Sequence, residues 1–157
     1  GAVLALDNYY KTIEKELTAV TKDDFNATDI VFINGSNALS AGISSYLTEF
    51  ASTGGSIALF PGASPDKSSW NSLLNELNLP SFGPVITSGT KISTINFDDP
   101  FFTGVFESRP ERLNLPSVSK VFQAAPNSDI SELITLKNGL PLFGMKQDKG
   151  NHFSKCL

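Results

Sequence analysis

Two short apolar runs, "DIVFING" at residues 29–35 and "SIALFPG" at residues 56–62, stand one helix length apart in the chain. Nothing else in the sequence constrains the fold as strongly. Each run is too uniformly apolar for a strand with one wet face, and each stops at a Gly-containing turn, so both read as buried strands. Between them, Ser40 can cap a helix whose Ile43, Tyr46, Leu47 and Phe50 share one face, and Gly54-Gly55 stop it. Two strands joined through such a helix run parallel, and a right-handed crossover sets the ends of "VFING" and "ALFPG" side by side. Asp66 or Ser68 can then start a second helix carrying Trp70, Leu73, Leu74 and Leu77, ended by the Leu79-Pro80 step.

Upstream, Val3, Leu6, Tyr10, Ile13, Leu17 and Val20 recur at helical spacing and predict an amphipathic helix, with a short strand at residues 2–6 as the alternative. Helices alternating with short apolar strands predict a parallel sheet covered on both faces. After Pro84 the texture changes. "TKISTINFD", "SVSKVFQAA", "SELITLKNG", "PLFGMKQ" and "NHFSKC" are strand-like, and Asn138-Gly139 and Asp148-Lys149-Gly150 read as hairpin turns. The expected fold is therefore an α/β three-layer sandwich, with a mainly parallel sheet and a β-rich C-terminal half. At 157 residues it makes one domain, 1–157.

Charge and composition narrow the function. A net charge of −4 without any Lys/Arg cluster argues against nucleic acid. No stretch approaches the ~18 apolar residues of a membrane span, and Gly1 and the stop at "HFSKCL" read as the limits of a domain excised from a larger protein. The single Cys156 excludes an internal disulfide and a multi-Cys metal site. His152 lies four residues before it, and on a strand that spacing is ~13 Å, too far for a catalytic dyad. Asp23-Asp24 and Asp98-Asp99 stand outside any calcium-loop pattern, and Phe101, Phe102, Val105 and Phe106 read as a short helical segment that fills the core. Asn26-Ala27-Thr28 and Asn34-Gly35-Ser36 match N-x-[ST], a pattern too short to carry function. No metal and no cofactor is expected.

The corner Phe60-Pro61-Gly62-Ala63-Ser64-Pro65 has the strand-to-helix shape of a nucleophile elbow. Yet Pro61, Gly62 and Ala63 cannot attack a substrate, and Ser64 precedes Pro65, which disfavours helical geometry at that position. The neighbouring corner, Asn34-Gly35-Ser36-Asn37, offers amide, hydroxyl and backbone N–H groups. A polar pocket at the strand ends would be lined by Asn34, Gly35, Ser36, Pro61, Gly62, Ser64, Asp66 and Asn71, with Asp66 as the acid or base that hydrolysis needs.

Taken in order, "DIVFING…S…L..FASTGGSIALFPG", "WNSLLNELNLP", "INFDDPFFTGVFE" and "LNLPSVSKVF" resemble the class I glutamine amidotransferase-like domain of the Bat-type aerotolerance membrane proteins of Bacteroidota. The resemblance covers most of residues 28–150. It implies a flavodoxin-like sandwich on the periplasmic side of the cell envelope, tethered by a membrane-anchored parent chain, with further strands after Leu157. Its partners would be other domains of that parent or envelope proteins, and it would meet the membrane only through the parent. A glutaminase cysteine would map near Gly62-Ala63, where this chain has none, so the resemblance implies a pseudoenzyme serving interaction or assembly. Twelve phenylalanines supply apolar surface for that role. A small-molecule or sugar-binding module, or a hydrolase using the polar pocket, is the alternative.

Overall fold

Ile30–Ser36 and Ser56–Pro61 form the first two strands, β1 and β2, and they pair in parallel with Ile30 beside Ser56 and Asn34 beside Phe60. In this computed structural model the described residues are 9–87, 89–105, 114–124 and 127–147, together with the backbone of 154–156. Helix α1, Ala41–Ser52, joins the two strands. It starts where the Ser40 hydroxyl accepts the Ile43 N–H at 3.3 Å, and it ends where Gly54 takes a φ of +102° and the Gly55 N–H returns to the Phe50 carbonyl at 2.9 Å. Helix α2, Lys67–Glu76, starts on the Asp66 carboxylate and stops as Asn78 turns left-handed at φ 55°. These starts and stops agree with the sequence patterns at Ser40, Asp66 and Gly54-Gly55.

Alternation along the strands fixes the main core. Ile33, Ile57 and Leu59 point to one face, where Ile43, Leu47 and Phe50 of α1 and Trp70, Leu73 and Leu74 of α2 close over them. Both helices therefore lie on the same face of the sheet.

The rest of the chain supplies β3 (Phe82–Ile86), β4 (Thr90–Ile95), β5 (Ser117–Val118), β6 (Val121–Ala124), β7 (Ser131–Leu136), β8 (Pro141–Gln147) and β9 (Ser154–Cys156). A seven-stranded sheet runs in the order β1-β2-β9-β8-β7-β4-β5, and β3 and β6 form a separate pair. Only β1–β2 and β2–β9 are parallel among the described pairings; β9–β8, β8–β7, β7–β4, β4–β5 and β3–β6 are antiparallel. Strands joined by a tight turn, such as β7 and β8 through Asn138 and Gly139 (φ +80°), have no crossover segment and can only run antiparallel.

Three expectations are corrected here. The three-layer, mainly parallel, flavodoxin-like sandwich is not the fold, because antiparallel pairings dominate and two α-helices, both on one face, are all that the described residues contain. The amphipathic helix expected from the spacing of Val3 to Val20 does not form over its described part: residues 9–16 carry no helix, and only Leu17–Ala19 and Lys22–Phe25 make single 3-10 turns. Its Val3 and Leu6 lie outside the described residues. Finally, "DIVFING" is a strand but not a buried one, since β1 ends the sheet and only Ile33 within it is buried. The hairpin turn expected at residues 148–150 lies outside the described residues.

Candidate functional site

The two strand-end corners meet, and they meet each other. Gly62 donates its N–H to the Ser36 carbonyl at 2.8 Å, and Asp66 donates to the Asn37 carbonyl at 2.6 Å. The Asn37 side-chain oxygen accepts the Ser64 N–H at 3.1 Å. The Ser36 hydroxyl turns back onto the Ala38 carbonyl at 2.7 Å. The Ser36 carbonyl and both oxygens of Asn37 thus hold loop to loop, and Gly62 is the residue that lets the loops close. A β-carbon there would run into the Asn37 side-chain oxygen and come within 2.7 Å of the Gly35 carbonyl. Gly62→Ala is accordingly expected to destabilise the fold by about 1–3 kcal/mol through overpacking, read as a lower urea midpoint with an unchanged slope.

The remaining expected site residues separate. Asn34 shares a face with Phe32 and Phe60 by register, on the side of the sheet away from the helices. Asn71 is a clamp: its side chain accepts the Phe82 N–H at 2.7 Å and donates to the Phe82 carbonyl at 3.1 Å, tying β3 to α2. Gly35 sits at φ +74° beside the register shift in β1, and Pro61 ends β2. Asp66 caps α2. Its carboxyl is held below the usual carboxylate range by the Ser69 backbone N–H first and the Ser69 hydroxyl second. That direction makes it a weaker base and leaves it ionised at neutral pH, away from the pKa near 7 that suits general acid–base work.

The lowered pKa also sets a pH dependence. A carboxylate depressed in the folded state contributes stability above its unfolded pKa, and loses that contribution as the pH falls through the folded value. Asp24 adds the same sign, pushed to about 2 by Lys15 and the Thr21 N–H. Asp66→Asn keeps a good capping side chain but removes one titration. The variant's melting temperature is expected to fall less than that of the native chain between pH 7 and pH 3, as followed by circular dichroism.

A groove of about 750 Å³ does exist, between α1 and α2, lined by Ser44, Ser45, Thr48, Ser72 and Glu76 and reaching Asp66 but no other expected site residue. Thr48 donates across it to Glu76 at 2.8 Å. The acidic pairs act as turn caps: Asp24 closes a capping box with Thr21, and Asp99 accepts the Phe101 N–H at 2.9 Å. No three potential metal ligands gather among the described residues. His152 lies outside them, and Cys156 is placed only by its backbone, between Ala58 of β2 and Met145 of β8.

Sequence reasoning missed two features. One is the role of Asn37, placed in the corner but not among the pocket residues, as the organiser of the closed corner. The other is a row of aromatic rings on the face away from the helices. There Phe60 stacks on Phe143 with centroids 6.2 Å apart, Phe101 packs on Phe143 at 6.0 Å, and Phe101 meets Phe102 edge-on at 5.1 Å. The segment expected to fill the core is thus a 3-10 turn, Pro100–Phe102, with Phe101 and Val105 exposed; Phe106 lies outside the described residues. Ile30, Phe32 and Phe60 are 44%, 49% and 40% exposed and continue the row to the sheet's edge. Strand alternation in β1 was the signal that could have found it, once the helices were known to cover one face only.

No protein-family model matches this chain, and no curated protein matches it. It is similar in fold to a solved structure titled "Cytoplasmic Protein STM3548 from Salmonella typhimurium", with a TM-score of 0.54 and 16% identity, over 88% of this chain and 65% of that one. The chain thus spans just under two thirds of that structure's length. No helix among the described residues is long and apolar enough to cross a membrane.

Proposed function

We propose that this chain is a non-catalytic protein-interaction domain that docks through the sheet face opposite its two helices. One observation carries the reading: Ile30, Phe32, Phe60 and Phe101 are all exposed on or beside that face, while α1 and α2 bury the other. Contiguous apolar surface of this kind marks a place where another molecule removes it from water. The closed corner adds support, since the Ser36 carbonyl accepts from Gly62 and Asn37 accepts from Ser64 and Asp66.

Lysine substitutions on the face test this. The chain and its Phe60→Lys and Phe101→Lys variants, with Ser45→Lys and Ser72→Lys in the helix groove as controls, are used to retain proteins from the source cells, quantified by mass spectrometry. The two face variants are expected to lose the native chain's partners at least tenfold while the groove variants keep them. Retention by the face variants, or loss by the groove variants, would refute the reading.

A further inference from the structure

The two ends of the seven-stranded sheet are built differently. At one end β5 has two residues, preceded by Pro116 and followed closely by Lys120, a short edge of the kind that resists further pairing. At the other end β1 has seven residues, Ile30–Ser36, with neither a charge nor a proline among them. Its register with β2 is regular from Ile30 to Asn34 and shifts only towards Ser36. Among the described residues no strand pairs with its outer side. A long, uncharged, apolar edge is a template for another strand, and natural proteins blunt such edges when they are not used.

The side chains say what kind of strand. Ile30 and Phe32 are exposed on the open face, continuous with Phe60, whereas Val31 and Ile33 face the helix side. An added strand would therefore meet apolar neighbours on both of its faces. Exposed Asp29 abuts the N-terminal end of β1 and favours a positive charge there.

We infer that the outer edge of β1 is a strand-docking site, taking an extended, β-branched, uncharged segment of another polypeptide with a cationic residue at the end that meets Asp29. This rests on the interaction reading above and names its kind of partner. Main-chain hydrogen bonds supply the affinity, and the alternating side chains on either face supply the selectivity.

The test titrates the full chain into a fluorescein-labelled eight-residue peptide of alternating valine and threonine with one terminal lysine, followed by anisotropy. Saturable binding in roughly the micromolar range is expected. Methylating the peptide amides along one edge should weaken it at least tenfold, and methylating the other edge should not, because one row alone faces β1. Phe32→Lys should weaken binding, and Ser72→Lys, in the groove on the helix side, should leave it unchanged. Absence of saturable binding, equal loss from either methylation, or a native chain that self-associates through β1 overturns the inference. If the peptide fails to bind while Phe60→Lys and Phe101→Lys still lose the cellular partners, strand docking alone falls and the interaction reading stands.

Discussion

Trp70→Ala is expected to cost about 3–5 kcal/mol, the range for removing a fully buried tryptophan, against a total stability of about 5–15 kcal/mol for a domain of this kind. Trp70 is completely buried at the centre of the larger core, where α2 meets the sheet, and its ring packs 6.1 Å from that of Phe82. Removing it opens a void beneath α2 and loosens β3, which Asn71 holds to the same helix. Circular dichroism in urea is the suitable measurement, since the chain has no other tryptophan to report by fluorescence. Trp70→Phe is expected to cost clearly less. It retains most of the packing and removes an indole N–H that has no hydrogen-bond partner among the described residues.

Leu133→Ala is the second large effect, about 2–5 kcal/mol. Leu133 is fully buried on β7, in one of two smaller cores, with Ala58 and Met145, flanked by Phe102 and Phe143. That small core carries the aromatic row, so the loss should be felt on the face away from the helices. Ala58 belongs to the small core while its β2 neighbours Ile57 and Leu59 belong to the large one, so one strand couples the two. A single cooperative urea transition with a lowered midpoint is expected. Two separate transitions would mean that the antiparallel half unfolds independently of α1 and α2.

How much of this was legible depended on how local the signal was. β1, β2 and both helices were legible because their information lies within a few residues: β-branched runs, the Ser40 and Asp66 caps, the Gly54-Gly55 stop. The Asn138-Gly139 turn was legible for the same reason. Strand order was not, because nothing in "SKC" states that β9 inserts between β2 and β8. β3 was hidden by Pro84, which lacks an N–H and sits where the pairing with β6 shifts between Phe82 and Val85.

Helical spacing misled at Tyr10 and Ile13, where periodicity exists but neither side chain is buried. The same absence of a covering helix explains why an apolar β1 reads as central when it is an edge. Of the candidate site, proximity of the two corners was legible from the right-handed crossover. What they do there was not: Gly62 closes on Ser36, and Ser64 and Asp66 close on Asn37, through contacts that depend on the parallel register, and Asn71 turns away to hold Phe82.

Amide hydrogen exchange along β1, read residue by residue by NMR on the native chain, tests most directly whether the edge stands open. Amides of Ile30–Asn34 that face away from β2 are expected to exchange rapidly while those of Ile57, Ala58 and Leu59 in β2 are strongly protected. Uniform protection of β1 at the level of β2 would contradict a free edge, and with it the strand-docking site.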